Sequence, residues 1–182
     1  EKWHVFFADE RCVPLKHEDS NYRNCMESFL SQTKIPIANL HAIDATQKTP
    51  QDMAEVYEKE MIKILGKDTV SLDLILLGMG PDGHTCSLFP NHNLLKENKR
   101  LVAYIEDSPK SPPKRITLTY KTLSQSKHIA FVTAGSSKAP ILPKVLKKGS
   151  LLPSGRAVSK DGTATWFVDK EAASLLLDAS KI

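Results

Sequence analysis

The chain has 182 residues, of which 41% are hydrophobic and 25% are charged, a balance typical of a globular domain and not of a disordered or fibrous protein. The formal net charge is +4, but the basic residues are scattered and aromatic residues make up only 7%, which does not fit a nucleic-acid binder. The positive surplus favours an anionic small molecule as substrate. The longest apolar stretch, residues 74–79, falls far short of the roughly 20 residues of a membrane span, so we expect no membrane partner.

Short apolar runs bounded by turn residues predict buried strands, and segments with apolar residues at helical spacing predict the helices between them. In chain order these are strand 3–8, helices 21–30 and 51–65, strands 72–77, 101–105, 116–119, 129–132 and 165–168, and helix 170–177. Thr49 and Gly66 would cap the second helix, and prolines make residues 108–114 an irregular loop. The alternation predicts an α/β fold with a mostly parallel sheet flanked by helices, in a single domain over residues 1–182.

Charged residues follow the first predicted strand directly. Asp9, Glu10 and Arg11 stand where its apolar run stops. The carboxyl ends of strands are where α/β sheets place ligands, and an arginine is suited to bidentate contact with a phosphate. A cluster of surface salt bridges is the alternative interpretation of the same residues.

The strand that ends at residue 77 runs straight into a glycine-rich turn, residues 78–83. The spacing of Gly78, Gly80 and Gly83 matches a dinucleotide-binding motif, but Pro81 removes an amide donor and Asp82 would repel a pyrophosphate. The turn instead presents Asp82 and His84 two residues apart. A histidine oriented by a carboxylate is a typical general acid or base, so we predict a catalytic pair here.

Two further cations stand beside predicted strand ends. Arg115 begins a strand after the proline-rich loop, and Lys138 follows a strand and a small flexible turn. A phosphorylated substrate would account for Arg11, Arg115 and Lys138 together. The histidines and the three cysteines lack the spacing of a metal site, and there is no C-x-x-C pair, so we expect no metal.

Four segments resemble the signatures of the 6-phosphogluconolactonase family: DERCVP at residues 9–14, DSN at 19–21, GMGPDGHTCSLFP at 78–90 and RITLT at 115–119. The resemblance implies a modified Rossmann-like fold and the hydrolysis of 6-phospho-D-glucono-1,5-lactone to 6-phosphogluconate, in the oxidative pentose phosphate pathway and without a cofactor. The substrate would be a sugar-phosphate lactone, and we expect a cytoplasmic monomer.

The resemblance also implies roles for the residues found above. His84 would act as the general base, with Asp82 or Asp9 orienting it. Arg11, Arg115 and Lys138 would hold the phosphate or the sugar hydroxyls, and the backbone amides from Gly80 to Gly83 would stabilise the oxyanion.

Two other functions stay open at this stage. Amino-sugar-phosphate isomerases or deaminases resemble the chain at Asp9 and in the glycine turn, but they carry a glutamate where this chain has Phe89. A non-catalytic module that binds sugar phosphates is the second alternative. The family also carries an upstream strand, a Gly-Gly-Ser-Thr phosphate loop and a helix that do not occur in this chain. We therefore expect the chain to be a piece of a longer protein whose N-terminal βα segment is missing here.

Overall fold

The computed structural model describes residues 3–66 and 70–176. The strands are β1 Val5–Phe6, β2 Asp9–Arg11, β3 Leu40–His41, β4 Leu74–Leu77, β5 Val102–Ile105, β6 Arg115–Leu118, β7 His128–Thr133 and β8 Thr165–Val168. The helices are α1 Asn21–Ser28, α2 Pro50–Leu65, α3 Tyr120–Gln125, α4 Leu142–Leu146 and α5 Pro153–Arg156. Short 3₁₀ turns lie at Leu30–Gln32, Ile37–Asn39, Asn93–Lys96 and Ser136–Lys138. Within the two described ranges, no helix is long and apolar enough to cross a bilayer.

The strands form three sheets. In the first, β4, β7 and β8 lie parallel, with β7 in the middle, and β1 pairs with β3 in a second parallel sheet. In the third, β6 lies between β2 and β5 and is antiparallel to both. The predicted α/β class, with parallel sheets flanked by helices, is confirmed. The antiparallel sheet was not predicted.

The single strand predicted over residues 3–8 is wrong in its extent. At Phe7 and Ala8 the backbone stops pairing with β3 and begins to pair with β6. The Phe7 amide donates to the Tyr57 hydroxyl at 2.6 Å, and the Ala8 carbonyl accepts from the Leu118 amide at 2.8 Å. The backbone therefore leaves β3 and enters a register with β6 in which Asp9 lies opposite Thr117. Residues 9–11, expected to follow the end of that strand, form a strand of their own.

The helix predicted over residues 51–65 is confirmed, and its ends follow the predicted signals. The Thr49 hydroxyl accepts from the Asp52 amide at 3.1 Å, and Gly66 ends the helix at a φ of 98°. Side chains on one face of α2 are buried against β5 and β6: Met53, Ala54, Tyr57 and Met61. This face belongs to the main core, which continues into the parallel sheet through buried residues of β4 and β7 such as Ile75 and Phe131.

Two other predicted helices differ from the structure. Helix 21–30 ends at Ser28, because Phe29 leaves helical geometry with a φ of −156°. Helix 170–177 is absent over residues 170–176, where the backbone forms turns, and residue 177 lies outside the described residues. The Asp169 carboxylate there accepts from the amides of both Gly135 and Ala172, so it ties this turn to the end of β7.

Candidate active site

The turn after β4 is closed by its own backbone. The Gly80 amide donates to the His84 carbonyl at 2.9 Å, and the Gly83 amide donates to the Gly80 carbonyl at 2.9 Å. The Thr85 hydroxyl donates back to the Gly78 carbonyl at 2.9 Å. These bonds fold the turn tightly over the carboxyl end of β4, where ligands bind in open α/β sheets.

Two glycines are required by this geometry. A Cβ on Gly80 would overlap the His84 ring and come within 2.6 Å of Asp82 Oδ1, so the catalytic pair occupies the space that any side chain would need. Gly83 has a φ of 81°, in the left-handed region that favours glycine. Its carbonyl accepts from both the amide and the hydroxyl of Ser154, which fixes the base of the turn.

Asp82 and His84 form the predicted pair. His84 Nδ1 lies 2.5 Å from Asp82 Oδ1, and the His84 side chain is 16% exposed. Although burial acts to raise it, the hydrogen bond and charge of His84 bring the pKa of Asp82 below its ordinary value, so Asp82 is a carboxylate. Because a carboxylate only accepts, Nδ1 must carry the proton, which leaves the lone pair of the neutral ring on Nε2.

The surroundings of the His84 ring keep it neutral. Burial lowers its pKa below the ordinary 6.5, against the opposing hydrogen bond and charge of Asp82. The buried ring of Phe89 lies against it, with a distance of 4.7 Å between ring centroids. A neutral imidazole with a free Nε2 is the form that accepts a proton.

Asp9 lies near His84 but bonds elsewhere. Its Oδ2 accepts from the Ser87 hydroxyl at 2.7 Å and lies 3.9 Å from Arg115 Nη1. Its Oδ1 accepts from the side-chain amide of Asn21 at 3.1 Å. Of the two carboxylates proposed to orient His84, the structure therefore places Asp82 in direct contact with it. Asp9 adds negative charge to the same region.

Glu10 has a structural role that the sequence analysis did not identify. Its side chain is 1% exposed and accepts from the amides of Arg11, Asn21 and Tyr22, each at 2.7 Å, and from the Ser20 hydroxyl at 3.2 Å. Glu10 thus caps the first turn of α1 and anchors it on β2. The available signal was an acidic residue ahead of a predicted helix. Because Glu10 lies eleven residues before Asn21, the sequence does not show that the two residues meet.

The three predicted cations differ in how many of their hydrogen-bond donors are already engaged within the protein. Arg11 donates from Nη1 to the Asp19 carbonyl at 2.8 Å, and its Nε is buried without a partner among the described residues. Arg115 is 3% exposed and gives three hydrogen bonds to carbonyls of the loop before β6. Lys138 ends the 3₁₀ turn after β7, in the position predicted for an anion contact.

A cleft of about 410 Å³ joins these elements. It is lined by Asp9, Arg11, Gly78, Met79, Gly80, Pro81, His84, Cys86, Lys110, Ser111, Arg115 and Lys138. Of the eight predicted site residues, six line the cleft. Asp82 supports the cleft through His84, and Gly83 belongs to the turn but does not line the cleft. Lys110 and Ser111 were missed, because nothing in a proline-rich loop indicates where the loop will fold.

The glycine turn was predicted to supply amides for an oxyanion, and no metal site was expected. The amides of Gly80 and Gly83 donate inside the turn in this conformation, and an oxyanion contact with the amides of residues 80–83 stays a prediction. Among residues 3–66 and 70–176, no three His, Cys, Asp or Glu side chains are grouped as a metal site. Burial also raises the pKa of Cys86, the cysteine in the cleft, so its thiol stays protonated.

Comparisons with known proteins show which proteins this chain is similar to. Residues 1–166 match the family model described as "Glucosamine-6-phosphate isomerases/6-phosphogluconolactonase". A probable chloroplastic 6-phosphogluconolactonase 4 of Oryza sativa subsp. indica is 43% identical over 96% of this chain and 58% of its own length. The 6-phosphogluconolactonase of Rattus norvegicus is 42% identical, over 96% of this chain and 68% of its own length.

A solved structure shares the fold. The crystal structure of 6-phosphogluconolactonase from Thermotoga maritima has a TM-score of 0.79 and 36% identity, over 91% of this chain and 72% of that one. This likeness confirms the predicted modified Rossmann-like fold. The chain spans between about half and three quarters of the length of the proteins it matches.

Proposed function

This chain belongs to the family of glucosamine-6-phosphate isomerases and 6-phosphogluconolactonases, and from that premise we propose that it hydrolyses 6-phospho-D-glucono-1,5-lactone to 6-phosphogluconate. The observation that carries the proposal is the Asp82–His84 pair, whose free Nε2 belongs to a cleft that Arg11 and Lys138 also line. A base and cations in one cleft suit a neutral ester attached to a phosphate.

The reaction needs one proton to move twice. His84 Nε2 takes a proton from the water that attacks the lactone carbonyl, and Asp82 stabilises the imidazolium that forms. The ring C–O bond of the tetrahedral intermediate then breaks, and His84 returns the proton to the leaving oxygen. The products are a carboxylic acid and a hydroxyl on one open chain, so no electrons and no carrier group are transferred.

The cations of the cleft supply the positive charge that the reaction needs. Since the amides of Gly80 and Gly83 donate within the turn, cationic side chains are the main donors to the oxyanion in this proposal. We propose that Arg11, Arg115 and Lys138 contact the phosphate and the hydroxyls. Among the described residues, Arg11 and Lys138 have more donors without a partner than Arg115.

The deaminase alternative is disfavoured at Phe89. Its ring is 1% exposed and lies against His84, so an aromatic side chain stands where those enzymes were expected to carry a glutamate. The curated relatives named above are also 6-phosphogluconolactonases.

The test is turnover of freshly made 6-phosphogluconolactone, followed by titration of the acid released and corrected for the spontaneous reaction. We expect a rate well above background with this lactone and no ammonia from glucosamine 6-phosphate. Binding without turnover would support the non-catalytic module, and ammonia release would support the deaminase.

The remaining proposals concern the protein as a whole. We propose a monomer in which residues 1–182 belong to one domain, to be tested by sedimentation equilibrium. We also propose a cytoplasmic location, which localisation of the tagged full-length protein would test. The rice relative is named as chloroplastic, so a plastid signal would be the contrary result.

A further inference from the structure

We propose that Lys110 is a positioning residue of this site: Arg115 holds the loop of residues 108–114 so that the Lys110 ammonium and His84 share one oxygen of Asp82. The role in catalysis rests on the proposed function, because it concerns the base of that reaction. The contact itself is a property of the free protein.

The first observation is how the loop is held. Arg115 is 3% exposed and donates from Nε to the Pro112 carbonyl at 2.8 Å, and from Nη2 to the carbonyls of Lys110 at 2.9 Å and Ser111 at 3.0 Å. The Ser108 hydroxyl also donates to the Lys110 carbonyl at 2.9 Å. A buried guanidinium that binds three successive carbonyls fixes the backbone of the loop at Lys110, although the loop has no regular structure.

The second observation is where this backbone places the Lys110 side chain. Its Nζ lies 3.9 Å from Asp82 Oδ1, the same oxygen that His84 Nδ1 approaches at 2.5 Å. Lys110 also lines the cleft with His84. At this distance the ammonium acts on the carboxylate as a nearby positive charge, and that charge weakens the preference of Asp82 for a positively charged imidazole.

The charged groups around His84 come from several elements. They are Asp82 in the turn, Asp9 and Arg11 on β2, Lys110 in the loop, Arg115 on β6 and Lys138 after β7. Asp82 and Asp9 favour the protonated imidazole, whereas Lys110 opposes it and so assists burial in lowering the pKa of His84. Removing the ammonium should therefore raise the pKa of His84. As the pH falls, His84 should then take up a proton, and so stop acting as a base, at a higher pH than in the wild type.

The direct test is an NMR titration of the His84 ring in the free protein, without any substrate. We expect Lys110→Met to raise the midpoint by about 0.5 pH units, and Lys110→Arg to leave it close to wild type. Lys114→Met is the matched control, since Lys114 lies in the same loop but pairs with Glu106 and does not line the cleft. An unchanged midpoint in Lys110→Met, or an equal shift in Lys114→Met, would overturn the proposal.

The role of Arg115 is tested by a double-mutant cycle on the same titration. Arg115→Lys keeps the charge but loses the planar donor fork, so it should raise the His84 midpoint in the wild-type background and have no effect in Lys110→Met. Additive shifts would show that Arg115 does not act through Lys110. The Lys110 variants decide the main proposal alone, because that side chain is 40% exposed and its loss should not unfold the protein.

This titration is independent of the lactonase assay. If the protein does not turn over the lactone while the midpoint shifts, the proposed function fails and the contact stands. If turnover is normal and the midpoint does not move, the Lys110 proposal fails and the function stands.

Discussion

At the scale of single residues, the site depends on one short hydrogen bond between two side chains in the same turn. His84 can accept a proton only at Nε2, because Asp82 holds the proton on Nδ1. The same carboxylate then faces the imidazolium that forms when His84 takes a proton from water. Orientation and charge stabilisation therefore come from a single residue.

Replacing Asp82 with asparagine should remove both effects while keeping the shape of the side chain. We expect kcat to fall by about 10²- to 10⁴-fold, measured with saturating 6-phosphogluconolactone. Asp73→Asn is the matched control, because Asp73 pairs with Lys127 at a site 87% exposed and away from the cleft. A kcat for Asp82→Asn within threefold of this control would contradict the assigned role.

The pH dependence of the reaction should follow His84. Because burial lowers its pKa below 6.5, His84 is more than half neutral at pH 6.5, and activity is lost as the pH falls further and the ring takes up a proton. The acid limb of kcat/KM should therefore have its midpoint below pH 6.5. An acid limb with a midpoint above pH 7 would mean that another group, or a raised pKa of His84, controls the rate.

At the scale of elements, the glycine turn is shaped by the side chains it carries. Gly80→Ala would push a methyl group into the space of the His84 ring, so we expect a loss of kcat of about 100-fold, the usual result of displacing a base by about 1 Å. At Gly78, where a Cβ would meet no atom within 4 Å, the same change should cost much less. Steady-state kinetics of the two variants compare them, and equal losses would contradict the steric argument.

The contact between α1 and β2 should depend on the charge of Glu10. Glu10→Gln replaces one acceptor oxygen with an NH₂ group that faces backbone donors, so it should lower the free energy of unfolding by about 1.5–3 kcal/mol. Urea denaturation measures this loss. Glu27→Gln removes the exposed ion pair with Arg23, which water screens, so it should lower the free energy of unfolding much less than Glu10→Gln does. If the two variants were equally stable, the capping role would be disproved.

The elements also show which features a sequence can predict. Helix α2 and the Asp82–His84 pair were predicted because caps, apolar period and a two-residue spacing are local patterns. Strand β2 was not, since its partner β6 lies about a hundred residues further along the chain and its polar sequence is that of a strand end. Lys110 was missed for the same reason: its place is set by the hydrogen bonds of a buried arginine.

At the scale of the whole molecule, the cleft is lined by residues of a parallel and an antiparallel sheet. The parallel sheet supplies the turn after β4, and the antiparallel sheet supplies Asp9, Arg11 and Arg115. Ser87 joins them, since its amide donates to the Thr117 hydroxyl at 3.1 Å and its hydroxyl donates to Asp9 at 2.7 Å. The base and most of the charges thus come from different sheets, and the hydrogen bonds of the buried Ser87 add to the shared core in joining them.

The central claim is that His84 is the base of a lactone hydrolysis, and His84→Ala tests it most directly. The rate of acid release from 6-phosphogluconolactone should fall to within a few-fold of the spontaneous rate, with an unchanged thermal unfolding midpoint. His92→Ala is the matched control, because His92 also pairs with an aspartate, Asp107 at 3.1 Å, but does not line the cleft, and it should keep wild-type turnover. Near-normal turnover by a folded His84→Ala variant would contradict the account.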